Sequence, residues 1–279
     1  MNVIKLDGTV EAYDQSKLIQ SLKNSGADAR SVQRVIELVS KELFDGIETS
    51  RIYKRAFQIL EELPIGKEVS FRYSLRRAVS EFGPSGFPFE KFVGEVFRLR
   101  GYSVKVGVNM KGRCVTHEMD VVGEKPDELM TAELKFHNNL KIKTDLKVAL
   151  YVRARFDDLI AAGLYGNKKQ RLMIITNTKF SSNAIKYANC ADMELVGWNY
   201  PHRGKGNLHD MIQKSGIHPL TCLGSLTKKQ KQYFLDEGMV LCSELVEDDA
   251  RALHEASHVL PKSKVKKVME EIRQICECV

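Results

Sequence analysis

The chain has 279 residues, 43% hydrophobic and 28% charged, with 43 basic against 36 acidic side chains, a net charge of +7 and a pI near 9.0. That composition excludes a disordered or fibrous chain, and the length points to two or three domains of ordinary size. No apolar run approaches the ~18 residues of a bilayer span, and Met1 to Gly8 holds no apolar leader core, so neither a membrane partner nor a secretory leader is expected.

The charge balance is compatible with nucleic acid without requiring it. The cysteines at 114, 190, 222, 242, 276 and 278 are scattered, and none forms Cys-x-x-Cys. Cys276 and Cys278 lack a second pair to complete a zinc site, so free thiols in a reducing cytoplasm are expected.

In chain order, Val3–Lys5 and Thr9–Tyr13 read as short strands around Asp7-Gly8, a hairpin signal. Asp14 reads as the N-cap of a first helix carrying Leu18, Ile19 and Leu22 and ended by Gly26. Val32, Val35, Ile36, Val39 and Leu43 mark a second helix, which stops near Asp45-Gly46. Thr49 is expected to cap a third, with Ile52, Ala56, Ile59 and Leu60 inward and Pro64-Ile65-Gly66 as its break. Tyr73, Leu75, Ala78, Val79 and Phe82 mark a fourth, and Gly83-Pro84-Ser85-Gly86 sets a domain boundary.

The next segment changes character. Phe89, Phe92, Val93, Val96, Phe97 and Leu99 make a strongly apolar helix closed by Arg100-Gly101. Strands are expected at 102–108, 113–122 and 129–136, with Gly123–Asp127 as the loop between the last two, then a helix over 145–162. A buried strand at 171–176, a helix at 183–189 and a strand at 193–198 complete an α-β-β-β-α-β-α-β order. Such alternation implies a mixed sheet flanked by helices. From about Asn207 the strand signal disappears, leaving short helices broken by Gly216, Pro219, Gly224, Gly238 and Pro261. The fold class is therefore α/β and multi-domain: a hairpin-plus-helices module over 1–83, a mixed-sheet domain over 84–206 and a small all-α segment over 207–279.

The chemistry concentrates in the middle segment. Glu133 and Lys135 project from one side of their strand, and Asp120 lies on the strand before it. If these strands pair, two carboxylates and an ammonium converge. Converging carboxylates repel unless a cation lies between them. Mg²⁺ takes hard oxygen ligands and is held by one or two carboxylates plus water and phosphate. A neighbouring lysine can stabilise developing charge or help to deprotonate water. Taken alone, Glu-x-Lys on a strand is equally an ordinary solvated ion pair.

Four pieces in order resemble the core of the PD-(D/E)XK nuclease superfamily, in its Mrr-like restriction endonuclease branch. They are Phe89-Glu90-Lys91-Phe92-Val93 with Arg100-Gly101-Tyr102, His117-Glu118-Met119-Asp120-Val121-Val122, Glu133-Leu134-Lys135, and a basic helix with Lys147, Arg153 and Arg155. The resemblance implies Asp120 and Glu133 as ligands of Mg²⁺ or Mn²⁺, Lys135 as the group that positions water and stabilises charge, and Glu90 as a support on the leading helix. Glu118 is a further ligand or an exposed acid, His117 faces away from catalysis, and His137 shares the Glu133/Lys135 face. Lys141, Lys143, Lys147, Arg153, Arg155, Lys168, Lys169 and Arg171 are either phosphate contacts or a solvated charged face.

Val3-Ile4-Lys5-Leu6-Asp7-Gly8, followed by Glu11, Asp14 and Lys17, resembles the opening of an ATP-cone domain. The resemblance implies Val3, Lys5, Glu11, Lys17 and Thr49 around a nucleotide, ATP or dATP, as an effector. Leu6 departs from the family, which has a second basic residue there. The stretch from Leu226 to Cys242 loosely resembles a helix-hairpin-helix or SAM-like unit without the usual Gly-x-Gly turn, and a packing or oligomerisation role fits as well. His202, His209 and His218 are too dispersed for a metal site.

These readings predict a cytoplasmic, metal-dependent DNA endonuclease with a nucleotide-sensing N-terminal domain, through which a homo-oligomer can form. The alternatives are a nucleotide-responsive DNA-binding regulator whose nuclease fold is silent, and an oligomeric structural protein.

Overall fold

The computed structural model describes residues 1–5, 8–64, 67–202, 204–247 and 260–276. Leu6 and Asp7 of the expected hairpin, Ile65 and Gly66 of the expected helix break, and Glu277 and Cys278 of the tail lie outside the described residues. The chain divides into two compact units, Met1–Leu75 with the chain from Arg273, and Arg76–Ile272.

The first unit holds β1 (Asn2–Ile4), β2 (Val10–Ala12), α1 (Gln15–Asn24), α2 (Ala29–Ser40), β3 (Ile47–Glu48), α3 (Thr49–Glu62) and the start of α4 (Lys67–Ser80). β1 is central, pairing antiparallel with β2 (Val3 opposite Glu11) and parallel with β3 (Val3 beside Ile47). β3 is too short to leave a period-two signal in the sequence. The Asp14 side chain caps α1 through the Ser16 N–H at 2.9 Å, and Asp28 caps α2 through Ser31 at 2.7 Å. Thr49 does not cap α3: the cap position is Glu48, which makes no side-chain capping bond, and Thr49 is the first helical residue. Val3, Leu22, Val35, Ile47, Ala56 and Leu60 form the core of this unit.

The second unit contains α5 (Phe87–Arg98), β4 (Ser103–Lys111), β5 (Thr116–Lys125), β6 (Glu128–Lys135), β7 (Lys143–Thr144), α6 (Leu146–Ala161), β8 (Lys169–Thr176), β9 (Lys179–Phe180), α7 (Ser182–Cys190) and β10 (Glu194–Val196). Its five-stranded sheet has the order β10-β8-β6-β5-β4. β4, β5 and β6 run antiparallel, whereas β6, β8 and β10 run parallel, which makes the sheet mixed. β7 and β9 form a separate parallel pair. Gly94 lets α5 lie close on β4, since a Cβ there would stand 3.1 Å from Val106.

One feature of the β5–β6 hairpin departs from expectation. The turn is not the long Gly123–Asp127 loop: β5 runs through Lys125, which pairs with Glu128 across Pro126-Asp127. A turn this short sets strand register. Pairs then run to Val121 opposite Ala132, and the next step along both strands brings Asp120 level with Glu133.

α6 buries Ala149, Val152, Arg155, Phe156 and Leu159, a helical stripe with one arginine in it. Its Asp158 fastens the β4–β5 turn, accepting from the Cys114 N–H at 2.8 Å and lying 2.8 Å from His117 Nε2. A Cβ on Gly112 would stand 2.1 Å from that carboxylate and 2.7 Å from the Val115 carbonyl, so only glycine fits the clasp.

The remainder comprises α8 (Leu208–Ser215), a 3-10 turn at Leu220–Cys222, α9 (Lys228–Asp236), α10 (Glu244–Glu247) and a last described helix at Lys262–Cys276. Thr227 and Gln230 form a full capping box on α9. After Gly238 the chain does not turn directly into a second helix, because Leu241 first bridges to Pro219. This segment also braces α5: Lys91 Nζ lies 2.8 Å from Glu244, which accepts the Val240 and Leu241 N–H groups.

Candidate active site

The site is built where the sheet loses its regular pairing. The β4–β5 ladder pairs Val106 with Val121 and Val108 with Met119, passing over Gly107 and Asp120. Gly107 has a left-handed backbone at φ +63°. The β5–β6 ladder stops at Val121 and Ala132, while β6 continues beside β8 as far as Lys135 and Thr176. Where the next ladder bond would fall, the Leu134 N–H donates to Asp120 Oδ2 at 2.6 Å. The carboxylate of Asp120 is thus anchored to the strand that carries Glu133 and Lys135.

Glu133 is only 3% exposed. A buried carboxylate needs partners, and both its oxygens have one. Lys135 Nζ donates to Oε1 at 2.7 Å, and Arg155 donates to Oε2 at 2.5 Å. The same guanidinium donates to the Glu118 carbonyl and touches Met119 Sδ at 3.8 Å.

Glu90 sits in the first turn of α5. Burial, then the charges of Asp120, Glu118 and Glu133, push its carboxyl up to about 7 against the pull of Lys135. Burial and the Glu133 charge push Asp120 up to about 6, opposed by the Leu134 N–H, Lys135 and Arg155. Glu90, Asp120, Glu133 and Lys135 therefore share one electrostatic environment, with Glu118 exposed at its edge. Crowded carboxyls that resist ionisation are a frequent mark of functional sites. Among the described residues no group of three or more His, Cys, Asp or Glu forms a ready-made metal cage. The oxygen donors available suit an ion that keeps much of its water.

His117 lies apart, tied to Asp158. The backbone of His137 exchanges two hydrogen bonds with buried Asn177, at 2.9 and 2.8 Å, which extends the β6 edge by one side chain. Burial and the Lys135 charge hold its imidazole below the usual histidine range.

In the first unit, Lys5, Glu11 and Lys17 meet: Glu11 pairs with Lys5 and lies 3.3 Å from Lys17. Those two lysines hold the Glu11 carboxyl below its usual range. Val3 is buried in the core beside Ile47. Thr49 is half-buried at the start of α3.

Residues 1–79 match the ATP cone domain, and residues 218–276 match the family described as AF1548-like, C-terminal. An uncharacterized protein of Archaeoglobus fulgidus is 34% identical over 175 residues, covering 63% of this chain and 94% of its own length. The crystal structure of AF1548, a protein of unknown function, is 31% identical and superposes with a TM-score of 0.56 over 70% of this chain and all of that one. This chain belongs to the AF1548-like family. A repair endonuclease from Pyrococcus abyssi also superposes, at 17% identity over 40% of this chain and 46% of that one, but its TM-score of 0.31 is too low to bear on fold or function.

In this AF1548-like protein the basic face is smaller than the sequence suggests. Arg155 points inward to Glu133. Arg153 binds the Ala191 carbonyl and Asp157, each at 2.6 Å. Lys168 pairs with Glu124, and Arg171 with Glu194 and the Tyr102 hydroxyl. Lys143, Lys147 and Lys169 remain exposed. Arg155 is the site residue whose role charge counting misread. The signal was present, since an arginine on the apolar stripe of α6 must find a buried carboxylate.

Proposed function

We propose that this AF1548-like protein is a metal-dependent DNA endonuclease of PD-(D/E)XK type, with an ATP-cone domain that senses ATP or dATP. The observation that carries the reading is the Asp120–Glu133–Lys135 group, assembled where the β5–β6 ladder opens and joined by Glu90. Asp120 and Glu133 would hold Mg²⁺ or Mn²⁺. The fit rests on their hard oxygen donors and on an Asp120 carboxyl whose charge is unwelcome without a nearby cation. Bound there, such an ion would lower the pKa of water and polarise a phosphodiester.

The chain's own groups divide the remaining work. Lys135, whose side chain is partly exposed, would stabilise negative charge on the scissile phosphate. Arg155 holds the Glu133 side chain in one orientation from behind. Glu90, with its carboxyl near 7, is able to hold or release a proton close to neutral pH. In the first unit, Lys5 and Lys17 would exchange their Glu11 partner for the phosphates of a nucleotide.

The double engagement of Glu133 favours one alternative, a DNA-binding regulator whose site is silent because Lys135 and Arg155 already neutralise the carboxylate. Incubation with supercoiled plasmid separates the two readings. The nuclease reading predicts nicked and linear DNA in Mg²⁺ or Mn²⁺ and none in EDTA, at a rate that ATP or dATP alters. Salt-sensitive binding without strand breaks under any metal contradicts it.

A further inference from the structure

We propose that the exposed face of α6 beside Glu133 is a stacking platform for unpaired bases, so that the substrate is single-stranded DNA or DNA with an unpaired segment. This rests on the nuclease reading and names its substrate class. Lys147, Leu150 and Tyr151 stand at i, i+3 and i+4 and are therefore neighbours on one helix face. Leu150 is 45% and Tyr151 59% exposed. The opposite face of α6 is already packed through Val152, Phe156 and Leu159, so these residues are not part of the core.

Tyr151 is joined directly to the site. The Arg155 guanidinium carbon lies 5.5 Å from the centre of its ring, and the same guanidinium bonds Glu133. A base stacked on Tyr151 would therefore lie one side chain from the carboxylate proposed to hold the metal.

Charge chooses the occupant. Exposed Lys147 adjoins Leu150 and Tyr151, and exposed Lys143 precedes the helix, on a chain of net charge +7, a pattern that suits a polyanion with apolar faces. Stacked bases in a duplex offer no free π-face, whereas unpaired bases do, and aromatic side chains within basic surfaces bind them without sequence preference.

The test is fluorescence anisotropy on the full chain in EDTA. The probes are a labelled oligonucleotide of about 20 nucleotides and its duplex. The platform predicts at least tenfold tighter binding to the single strand. Tyr151→Ala is expected to weaken that binding about tenfold, Tyr151→Phe to preserve it, and neither to change duplex affinity. Equal affinity for both DNAs, or equal losses in the two variants, overturns the platform. A drop in sedimentation mass for Tyr151→Ala would assign the face to a second copy of the chain and overturn it likewise. Cleavage of both DNAs in Mg²⁺ with no single-strand preference would reject the platform and leave the nuclease reading standing. Cleavage of neither would reject the nuclease reading itself.

Discussion

Lys135→Ala is expected to lower the rate of DNA cleavage about 10²–10³-fold, the usual loss when one donor to a developing oxyanion is removed. The effect should fall on turnover and not on folding. Lys135 is half-exposed, and its hydrogen-bond partner Glu133 keeps Arg155 on the other oxygen. Single-turnover cleavage, measured alongside thermal denaturation, checks this. A variant that melts as the wild type does and cuts within about threefold of it would remove Lys135 from the mechanism.

Arg155→Met is expected to act through stability. It leaves Glu133 buried with only a partly exposed lysine as partner, and breaking a buried ion pair from one side costs about 3–5 kcal/mol. For a unit of this size that corresponds to a fall of roughly 10 °C in the melting temperature. The cost arises from the stranded carboxylate, so the double variant Arg155→Met/Glu133→Gln should recover most of it. A single variant that melts within about 2 °C of the wild type would mean that Arg155 does not stabilise the buried Glu133.

Much of this was legible in the residues, for identifiable reasons. Asp120, Glu133 and Lys135 could be placed on adjacent strands because the period-two pattern and an acidic turn between them are local signals. The helix faces of α1, α2 and α3 followed from apolar spacing, and the Asp14 cap from its position before that spacing begins. What could not be read were facts decided by partners distant in sequence. Arg155 counts as one more positive charge until its 22-residue separation from Glu133 is closed by folding. Val3 packs beside Ile47 of β3, a partner that no local pattern announces. The β5–β6 turn looked long because Gly123, Glu124 and Lys125 are common loop residues. Strand pairing with β4 overrides that preference.

Whether Asp120 and Glu133 form a cation site is decided by titrating the metal-free protein with Mn²⁺, followed by electron paramagnetic resonance. The sign of the pH dependence follows from the raised carboxyls. Protons compete for Asp120 below about 6 and for Glu90 below about 7, so affinity should be full above that range and fall as the pH drops through it. Mn²⁺ is expected to bind at pH 7.5, to bind less tightly towards pH 5, and not to bind Asp120→Asn. Binding that is unchanged in Asp120→Asn, or absent from the wild type at millimolar Mn²⁺, would contradict it.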